Sequence, residues 1–156
     1  MKKWMLVFLA VFSLNTFGHA DHSTPGAIPP APHGGQLGEA KHKHKGSHDH
    51  DHKKASEREI FFEILQKGKT LEVFPYELDS KDYKSFIELS TEQFSDTKIE
   101  LFDPRKKKKF KPELRAGKKS WTLSLEKVKA RRVFTKIKTF LDGGKFRAKI
   151  QVELKR

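Results

Sequence analysis

The sequence predicts an all-β fold, a small antiparallel β-sandwich of the immunoglobulin-like kind, in residues 59–156. Short runs of β-branched and aromatic residues recur from Ile60 to Leu154, and turn signals rich in Gly, Pro, Asp and Lys separate them. The chain also has 13 phenylalanines, most of them in these runs, and they supply the core volume that a small domain requires.

Seven segments have the pattern of strands, and they are residues 60–65, 70–76, 97–103, 108–114, 120–126, 132–141 and 145–154. Turns at residues 66–69, 104–106 and 142–144 join six of them into hairpins, and Asp142-Gly143-Gly144 is the strongest hairpin signal in the chain. Residues 82–96 fit either a strand around Phe86 to Leu89 or a short helix.

The last segment indicates how the strands face the core. Apolar side chains occupy every second position, namely Phe146, Ala148, Ile150, Val152 and Leu154. Polar side chains occupy the positions between, namely Lys145, Arg147, Lys149, Gln151 and Glu153. This alternation predicts a sheet with one buried face and one face in solvent.

Residues 1–20 are predicted to be a signal peptide. Met1-Lys2-Lys3 is a short basic start, and residues 4–12 are apolar but too few to span a bilayer as a helix. Small residues at Gly18 and Ala20 favour cleavage after Ala20, although an uncleaved anchor is the alternative. We therefore expect a soluble, periplasmic or secreted protein without a transmembrane segment. Loss of Lys2 and Lys3 would change its formal net charge from +13 to +11.

Two segments separate this leader from the predicted sandwich. Residues 21–31 are a Pro/Gly-rich extended tail. Residues 32–58 contain Pro-His-Gly-Gly and then a polar, histidine-rich run. We expect residues 39–57 to be disordered without a ligand, because they have almost no apolar surface to bury.

The distribution of histidine is the main indication of function, because none of the eight histidines lies beyond His52. Imidazole is a common ligand for Zn²⁺ and Cu²⁺, and alternate residues of an extended chain share one face. The candidate ligands of this run are His42, His44, His48, His50 and His52, with Asp49 and Asp51 as oxygen ligands or as acceptors that orient the rings. A solvated spacer and a pH-sensitive charge patch are the alternative interpretations.

The chain after Ala20 contains neither cysteine nor methionine. Nitrogen and oxygen ligands alone favour Zn²⁺, Cu²⁺, Ni²⁺ or Co²⁺ over Cu⁺. His22 adds a separate possibility, since a chain that starts at Asp21 offers its amine, a backbone amide and an imidazole to Cu²⁺.

Residues 31–40 (APHGGQLGEA), the strand ending FFEIL and the hairpin KGKTLEVFPYELDSK resemble a known family. It comprises small periplasmic metal-binding β-sandwich domains with a Pro-His-Gly-Gly signature, found alone or beside the adaptors of heavy-metal efflux pumps. The resemblance implies that His33 helps to bind metal and that Glu63 is an oxygen ligand or the acceptor behind the His33 ring. The family often has a second histidine where this chain has Phe61, and a shorter connection after the signature. His33 could instead serve as a structural hydrogen-bonding residue at the first strand.

A second constellation is basic, and it consists of Arg105, Lys106, Lys107, Lys108 and Lys109 on a predicted hairpin. Such clusters bind anionic lipid, polysaccharide or nucleic acid, but a solvated turn is their common role. Nucleic acid does not suit an exported protein whose aromatic residues build the core.

Enzyme signatures are absent from the sequence, which has no cysteine, no Gly-x-Ser-x-Gly and no histidine in the predicted domain. We therefore expect a non-enzymatic protein that buffers divalent transition metals or passes them to an efflux adaptor. The alternative is a module that binds an anionic envelope component or another polyanion through residues 105–109, with the histidine run as a spacer.

Overall fold

The computed structural model describes residues 28–42 and 58–155, and within them the chain forms β-strands, one short 3-10 turn (Thr91–Gln93) and no α-helix. In chain order the strands are β1 (Gln36–Glu39), β2 (Lys41–His42), β3 (Ile60–Lys67), β4 (Thr70–Leu78), β5 (Phe86–Glu88), β6 (Phe94–Asp103), β7 (Lys108–Phe110), β8 (Leu114–Ala116), β9 (Trp121–Ser124), β10 (Arg132–Leu141) and β11 (Gly144–Glu153). The predicted signal peptide, most of the predicted tail and residues 43–57 lie outside the described residues.

These strands form two antiparallel sheets, which confirms the predicted all-β sandwich. Sheet I has the order β1-β3-β4-β9-β8, and β5 pairs with the end of β4 that β9 does not cover. Sheet II has the order β2-β11-β10-β6-β7. The chain enters sheet I through β1 and then sheet II through β2, so residues 36–42 form the first connection between the sheets.

The main core lies between the sheets, where the inward side chains of β3 meet those of β10 and β11. Ile60, Phe62 and Ile64 are almost fully buried on the sheet I side, as are Val133 and Ile137 on the sheet II side. Each such side chain stabilises the fold by about 1.5–3 kcal/mol relative to its exposed state. The alternation predicted for β11 is present, with every second residue from Phe146 to Val152 buried.

Sheet I is also covered on its outer face, which the alternating pattern did not indicate. A second apolar cluster lies there, formed by Phe61, Phe74, Tyr76 and Leu78 with Leu37, Leu65 and Phe86 packed against it. Burial on both faces explains why β3 has apolar residues on both sides, with the buried Glu63 as the exception within Ile60–Leu65. The prediction of one solvent-exposed face was made from β11 and describes its own sheet, sheet II, whereas sheet I is covered on both faces at β3 and β4.

The sandwich begins earlier than residue 59, because β1 and β2 belong to its two sheets. The expectation of disorder is wrong for residues 39–42, which lie in or between these strands. A glycine is required where β1 passes over sheet II, since a Cβ at Gly38 would lie 2.4 Å from Cγ1 of Ile150.

Two weaker segments also differ from the prediction. Residues 108–114 do not form one strand, because β7 ends at Phe110 in sheet II and β8 begins at Leu114 in sheet I. Pro112 lies at this crossing, where no backbone N–H is needed for pairing. Residues 82–96 contain both predicted alternatives in short form, the strand β5 and the 3-10 turn.

Residues 28–42 and 58–155 contain no helix with the length and hydrophobicity that a membrane span requires.

Candidate functional site

The Pro-His-Gly-Gly segment makes a tight turn that leads into β1. The N–H of Gly34 donates to the carbonyl of Ala31 at 3.0 Å, and Gly34 has a φ of +73°, in the left-handed region that favours glycine. Gly35 is required for a different reason, because a Cβ there would lie 2.5 Å from the carbonyl oxygen of Ile64. The two glycines let the chain approach β3 closely and place His33 over the outer face of sheet I.

Glu63 is the centre of this region, and it is a fully buried carboxylate in the outer apolar cluster of sheet I. Its Oε1 accepts from the N–H of Gly35 at 2.7 Å and from the N–H of His33 at 3.0 Å. Its Oε2 lies 3.2 Å from the same His33 N and 3.1 Å from Nδ1 of the His33 ring. A buried charge requires such donors, so the turn and Glu63 stabilise each other.

The His33 ring is held on three sides. It stacks on Phe74 with 4.4 Å between the ring centroids, and the Tyr76 hydroxyl lies 2.8 Å from its Nδ1. The side chain is nevertheless 42% exposed, whereas Glu63 behind it is 0% exposed. The ring therefore connects a buried carboxylate to the protein surface.

The contact with Glu63 assigns the proton of the neutral His33 ring. An unprotonated Nδ1 would direct its lone pair at a carboxylate oxygen 3.1 Å away, which is repulsive, so we place the proton on Nδ1. Nε2 then has a free lone pair. A ring that donates from one nitrogen to a carboxylate and has a lone pair on the other is the arrangement that protein metal ligands adopt.

Tyr76 completes the region as a donor. Burial, together with the negative charge of Glu63 and a hydrogen bond to it, raises the pKa of Tyr76 well above its ordinary value. The hydroxyl is therefore protonated at neutral pH and donates to the carboxylate. Glu63 consequently receives donors from His33, Gly35 and Tyr76, which suits an acceptor behind the ring better than an oxygen ligand.

The described residues do not contain a complete metal site. Within residues 28–42 and 58–155, no three His, Asp or Glu side chains are grouped so as to hold an ion. His33 supplies one nitrogen, and Phe61, on the same face of β3 as Glu63, has no donor atom.

His42 is the one histidine of the predicted loop that the structure describes, and it lies in β2 rather than in a loop. It pairs with Phe146 of β11, and the two ring centroids are 4.9 Å apart. His42 thus belongs to sheet II, while His33 lies on the outer face of sheet I. The other proposed ligands lie outside the described residues, and they are His22, His44, His48, Asp49, His50, Asp51 and His52.

Arg58 fixes the chain where it returns to sheet I, a role that the sequence did not indicate. Its Nε and Nη2 donate to the two carboxylate oxygens of Glu77 at 2.7 and 2.6 Å, and Nη1 donates to Asp142. The hydrogen bond to Glu77 raises the pKa of Arg58 above its ordinary value. Since Glu77 is in β4 and Asp142 is in the β10–β11 turn, Arg58 joins the two sheets.

The predicted basic hairpin is present between β6 and β7. Its turn is built on the buried Asp103, which accepts from the N–H groups of Arg105 and Lys106 at 2.9 and 3.3 Å. Lys107 has a φ of 51°, and the Nζ of Lys108 lies 5.3 Å from the centroid of the Phe110 ring.

A concavity of about 230 Å³ is lined by Asp103, Arg105, Lys106, Lys129, Ala130, Arg131 and Arg132. Lys109 pairs with Phe102 on the other side of the hairpin.

No protein-family model, curated protein or solved structure matches this chain.

Proposed function

We propose that this protein binds a divalent transition metal ion, Zn²⁺ or Cu²⁺ in the first place and Ni²⁺ or Co²⁺ in the second. The ion would be held by Nε2 of His33 together with histidines from the segment between β2 and β3. The observation that supports this function is the buried Glu63 behind the His33 ring, at 3.1 Å from Nδ1. A carboxylate in this position fixes the ring orientation and makes the opposite nitrogen a better ligand.

The missing ligands are close to His33 along the chain. Arg58 and Glu63 are five residues apart in and before β3, which corresponds to about 16 Å. The six residues from His52 to Arg58 can extend over at most about 20 Å. Imidazoles of the histidine run can therefore come within coordination distance of His33 while Arg58 stays in place. A tetrahedral Zn²⁺ would need three of them.

The proposed cellular role is metal buffering or handover outside the cytoplasm, with an efflux adaptor as the partner. The predicted signal peptide and the clustering of histidines support this role. The metal is the cargo of the protein, so its binding must be reversible. A site that combines one oriented histidine with ligands from a separate segment suits reversible binding, because ordering that segment costs free energy.

Two substitutions of His33 separate a ligand from a structural residue. Asparagine retains an N–H donor close to the position of Nδ1, but it has no atom in place of Nε2. His33→Asn should therefore weaken the tightest site at least tenfold, the scale for loss of a ligand or its support, and should largely preserve apo stability. His33→Ala should weaken the site equally and also lower the apo melting temperature, since it removes the stacking on Phe74 and a donor to Glu63.

Titration calorimetry with Zn²⁺ and thermal denaturation in EDTA measure the two effects. If His33→Asn binds Zn²⁺ as tightly as the unmodified protein, His33 is not a ligand. Its contact with Glu63 would then serve the fold alone.

A further inference from the structure

The outer face of sheet II contains a line of cations that runs across the strands. Lys98 of β6 pairs with Lys138 of β10, which pairs with Arg147 of β11, which pairs with Lys41 of β2. Directly paired residues of antiparallel strands point to the same face, with their Cβ atoms about 5 Å apart. Lys41, Arg147, Lys138 and Lys98 therefore form a straight row, called here the cation row, which extends over about 14 Å across four strands.

This row opposes the stability of the sheet. Like charges that lie directly opposite each other destabilise a strand pair, and the row contains three such pairs in succession. Among the described residues, no carboxylate forms an ion pair with Lys41, Lys98, Lys138 or Arg147. In the adjacent row Lys136 lies opposite Lys149 on one side and opposite Glu100 on the other, so that row contains a compensating carboxylate and the cation row does not. Charges arranged at a cost to the fold indicate a surface that is neutralised by an anionic partner.

The shape of this face suits a single polymer chain better than a flat membrane surface. A concavity of about 590 Å³ lies beside Lys41, Arg147 and Lys138 of the row, and it is lined by Glu39, Lys41, His42, Lys136, Ile137, Lys138, Arg147, Ala148 and Lys149. A bilayer would be matched by charge spread over the whole face and by free apolar side chains that can insert. Here the cations are aligned, and the phenylalanines between them are only partly exposed.

The aromatic rings of this face are covered by lysines. Lys136 lies 4.7 Å from the ring centroid of Phe102, Lys149 lies 4.2 Å from that of Phe134, and Lys145 lies 5.3 Å from that of Phe140. Single-stranded nucleic acid gains much of its affinity by stacking bases on aromatic faces. Such stacking would require these lysines to leave the rings, so the surface favours a polymer that is recognised by charge alone.

We propose that the cation row binds a linear acidic polysaccharide, a chain that carries carboxylate or sulfate groups and lies across β6, β10, β11 and β2. This surface is distinct from the basic hairpin at residues 105–109 and from His33. It involves no metal ion, so it is independent of the proposed metal function.

The test compares two double variants that remove the same charges from different places. K138Q/R147Q removes the centre of the row, whereas R105Q/K106Q removes one arginine and one lysine from the hairpin. Binding of each protein to a size-defined heparin fragment is measured by calorimetry in EDTA over a series of salt concentrations. K138Q/R147Q should weaken binding about tenfold, as expected for two lost surface ion pairs, and should reduce its salt dependence. R105Q/K106Q should change it less than about twofold.

Folding is monitored by thermal denaturation, and K138Q/R147Q should melt at the same temperature as the unmodified protein or higher, because it relieves repulsion. If this variant does not fold, K41Q/K98Q tests the same row from its two ends. Equal losses in the row and hairpin variants would show that only total charge matters, and a loss confined to R105Q/K106Q would move the site to the hairpin. Absence of heparin binding would also overturn the proposal. So would tighter, row-dependent binding to single-stranded or duplex DNA, or to vesicles containing phosphatidylglycerol.

Discussion

Glu63 is fully buried, yet its carboxylate lies 3.1 Å from Nδ1 of His33, whose side chain is 42% exposed. The two residues are 30 positions apart in the chain, and the Gly34-Gly35 turn brings them together. A buried carboxylate in an apolar layer weakens a fold unless donors satisfy it. Here the carboxylate of Glu63 receives two backbone N–H groups, a ring N–H and a tyrosine hydroxyl. The His33 ring connects this buried charge to the protein surface.

The first prediction concerns this carboxylate. In Glu63→Gln the amide oxygen can still accept from the backbone N–H groups of His33 and Gly35, but the NH₂ group then faces the ring N–H of His33 and the Tyr76 hydroxyl, and these two donors lose their acceptor. Leaving buried donors unpaired costs about 1–3 kcal/mol each, so we expect the free energy of unfolding to fall by about 2–3 kcal/mol in EDTA. Metal affinity should fall about tenfold, because the acceptor behind the His33 ring is lost.

Urea denaturation measures the stability, and Glu72→Gln is the matched control. Glu72 lies in β4, which pairs with β3, and its carboxylate forms an ion pair with Lys67 at the surface. Its substitution should therefore cost less than about 1 kcal/mol. Equal stability of Glu63→Gln and the unmodified protein would mean that the four donor groups around Glu63 do not depend on a charged partner.

The second prediction concerns the histidine run. Replacing His44, His48, His50 and His52 by alanine should remove most bound equivalents of Zn²⁺, because His33 alone supplies a single nitrogen. Lys41 and His42 are left unchanged, since they pair with β11 and their loss would alter sheet II. Equilibrium dialysis gives the number of ions bound. Asp49→Asn with Asp51→Asn is the control and should retain that number, while an unchanged number in the histidine variant would exclude the run as the source of ligands.

The sequence predicted those elements whose pattern has a single local cause. In β11, the alternation of Phe146 and Ala148 with Arg147 and Lys149 reflects one core face and one wet face, and the fold confirms it. The run Ile60–Leu65 has no alternation, because its outer face is covered by residues distant in sequence, such as Phe86. β2 has only two residues and no apolar signal, so its pairing with β11 could not be predicted from its own composition.

The candidate site, too, was predicted from the sequence only in part. Glycines after His33 indicated a close approach of backbone, and Gly35 against Ile64 is such an approach. The contact of His33 with Glu63 was implied by resemblance and not by spacing. Arg58 could not be found, since it meets Glu77 and Asp142 only because the ends of the two sheets come together. The cation row likewise depends on strand register. Its four residues are far apart along the chain, so the sequence alone does not indicate that they lie side by side.

The third prediction concerns alkaline pH and Tyr76. The pKa of Tyr76 is raised in the folded protein, by burial first and then by Glu63, whereas in the unfolded chain it is about 10. Above that pH the unfolded state binds fewer protons than the folded state, so stability must fall as pH rises. The contribution of Tyr76 to the free energy of unfolding is fully present below about pH 10. Above that pH it falls by up to about 1.4 kcal/mol per pH unit.

Tyr76→Phe isolates this contribution from the titration of the lysines. Denaturation at a series of pH values between neutral and strongly alkaline should show a steeper decline for the unmodified protein than for Tyr76→Phe. Parallel curves would place Tyr76 in an environment where its hydroxyl ionises as easily as in the unfolded chain.

The fourth prediction concerns the passage of β1 over sheet II. Gly38→Ala would place its Cβ 2.4 Å from Cγ1 and 2.8 Å from Cδ1 of Ile150, so one of the two must move. Overpacking of this kind typically costs about 1–3 kcal/mol, and we expect the free energy of unfolding to fall by that amount.

A double-mutant cycle with Ile150→Ala tests the cause. Ile150→Ala alone should be destabilising, because it removes a buried side chain from β11. In the background of Ile150→Ala, the added methyl group at position 38 loses both close contacts and keeps only an ordinary 3.5 Å contact with the Cβ of residue 150, so Gly38→Ala should cost little. The two substitutions should thus be less destabilising together than the sum of their separate effects, by about 1 kcal/mol or more. Strict additivity would mean that β1 can shift away from β11 without losing its pairing with β3, and that the glycine is not needed for the approach of the two sheets.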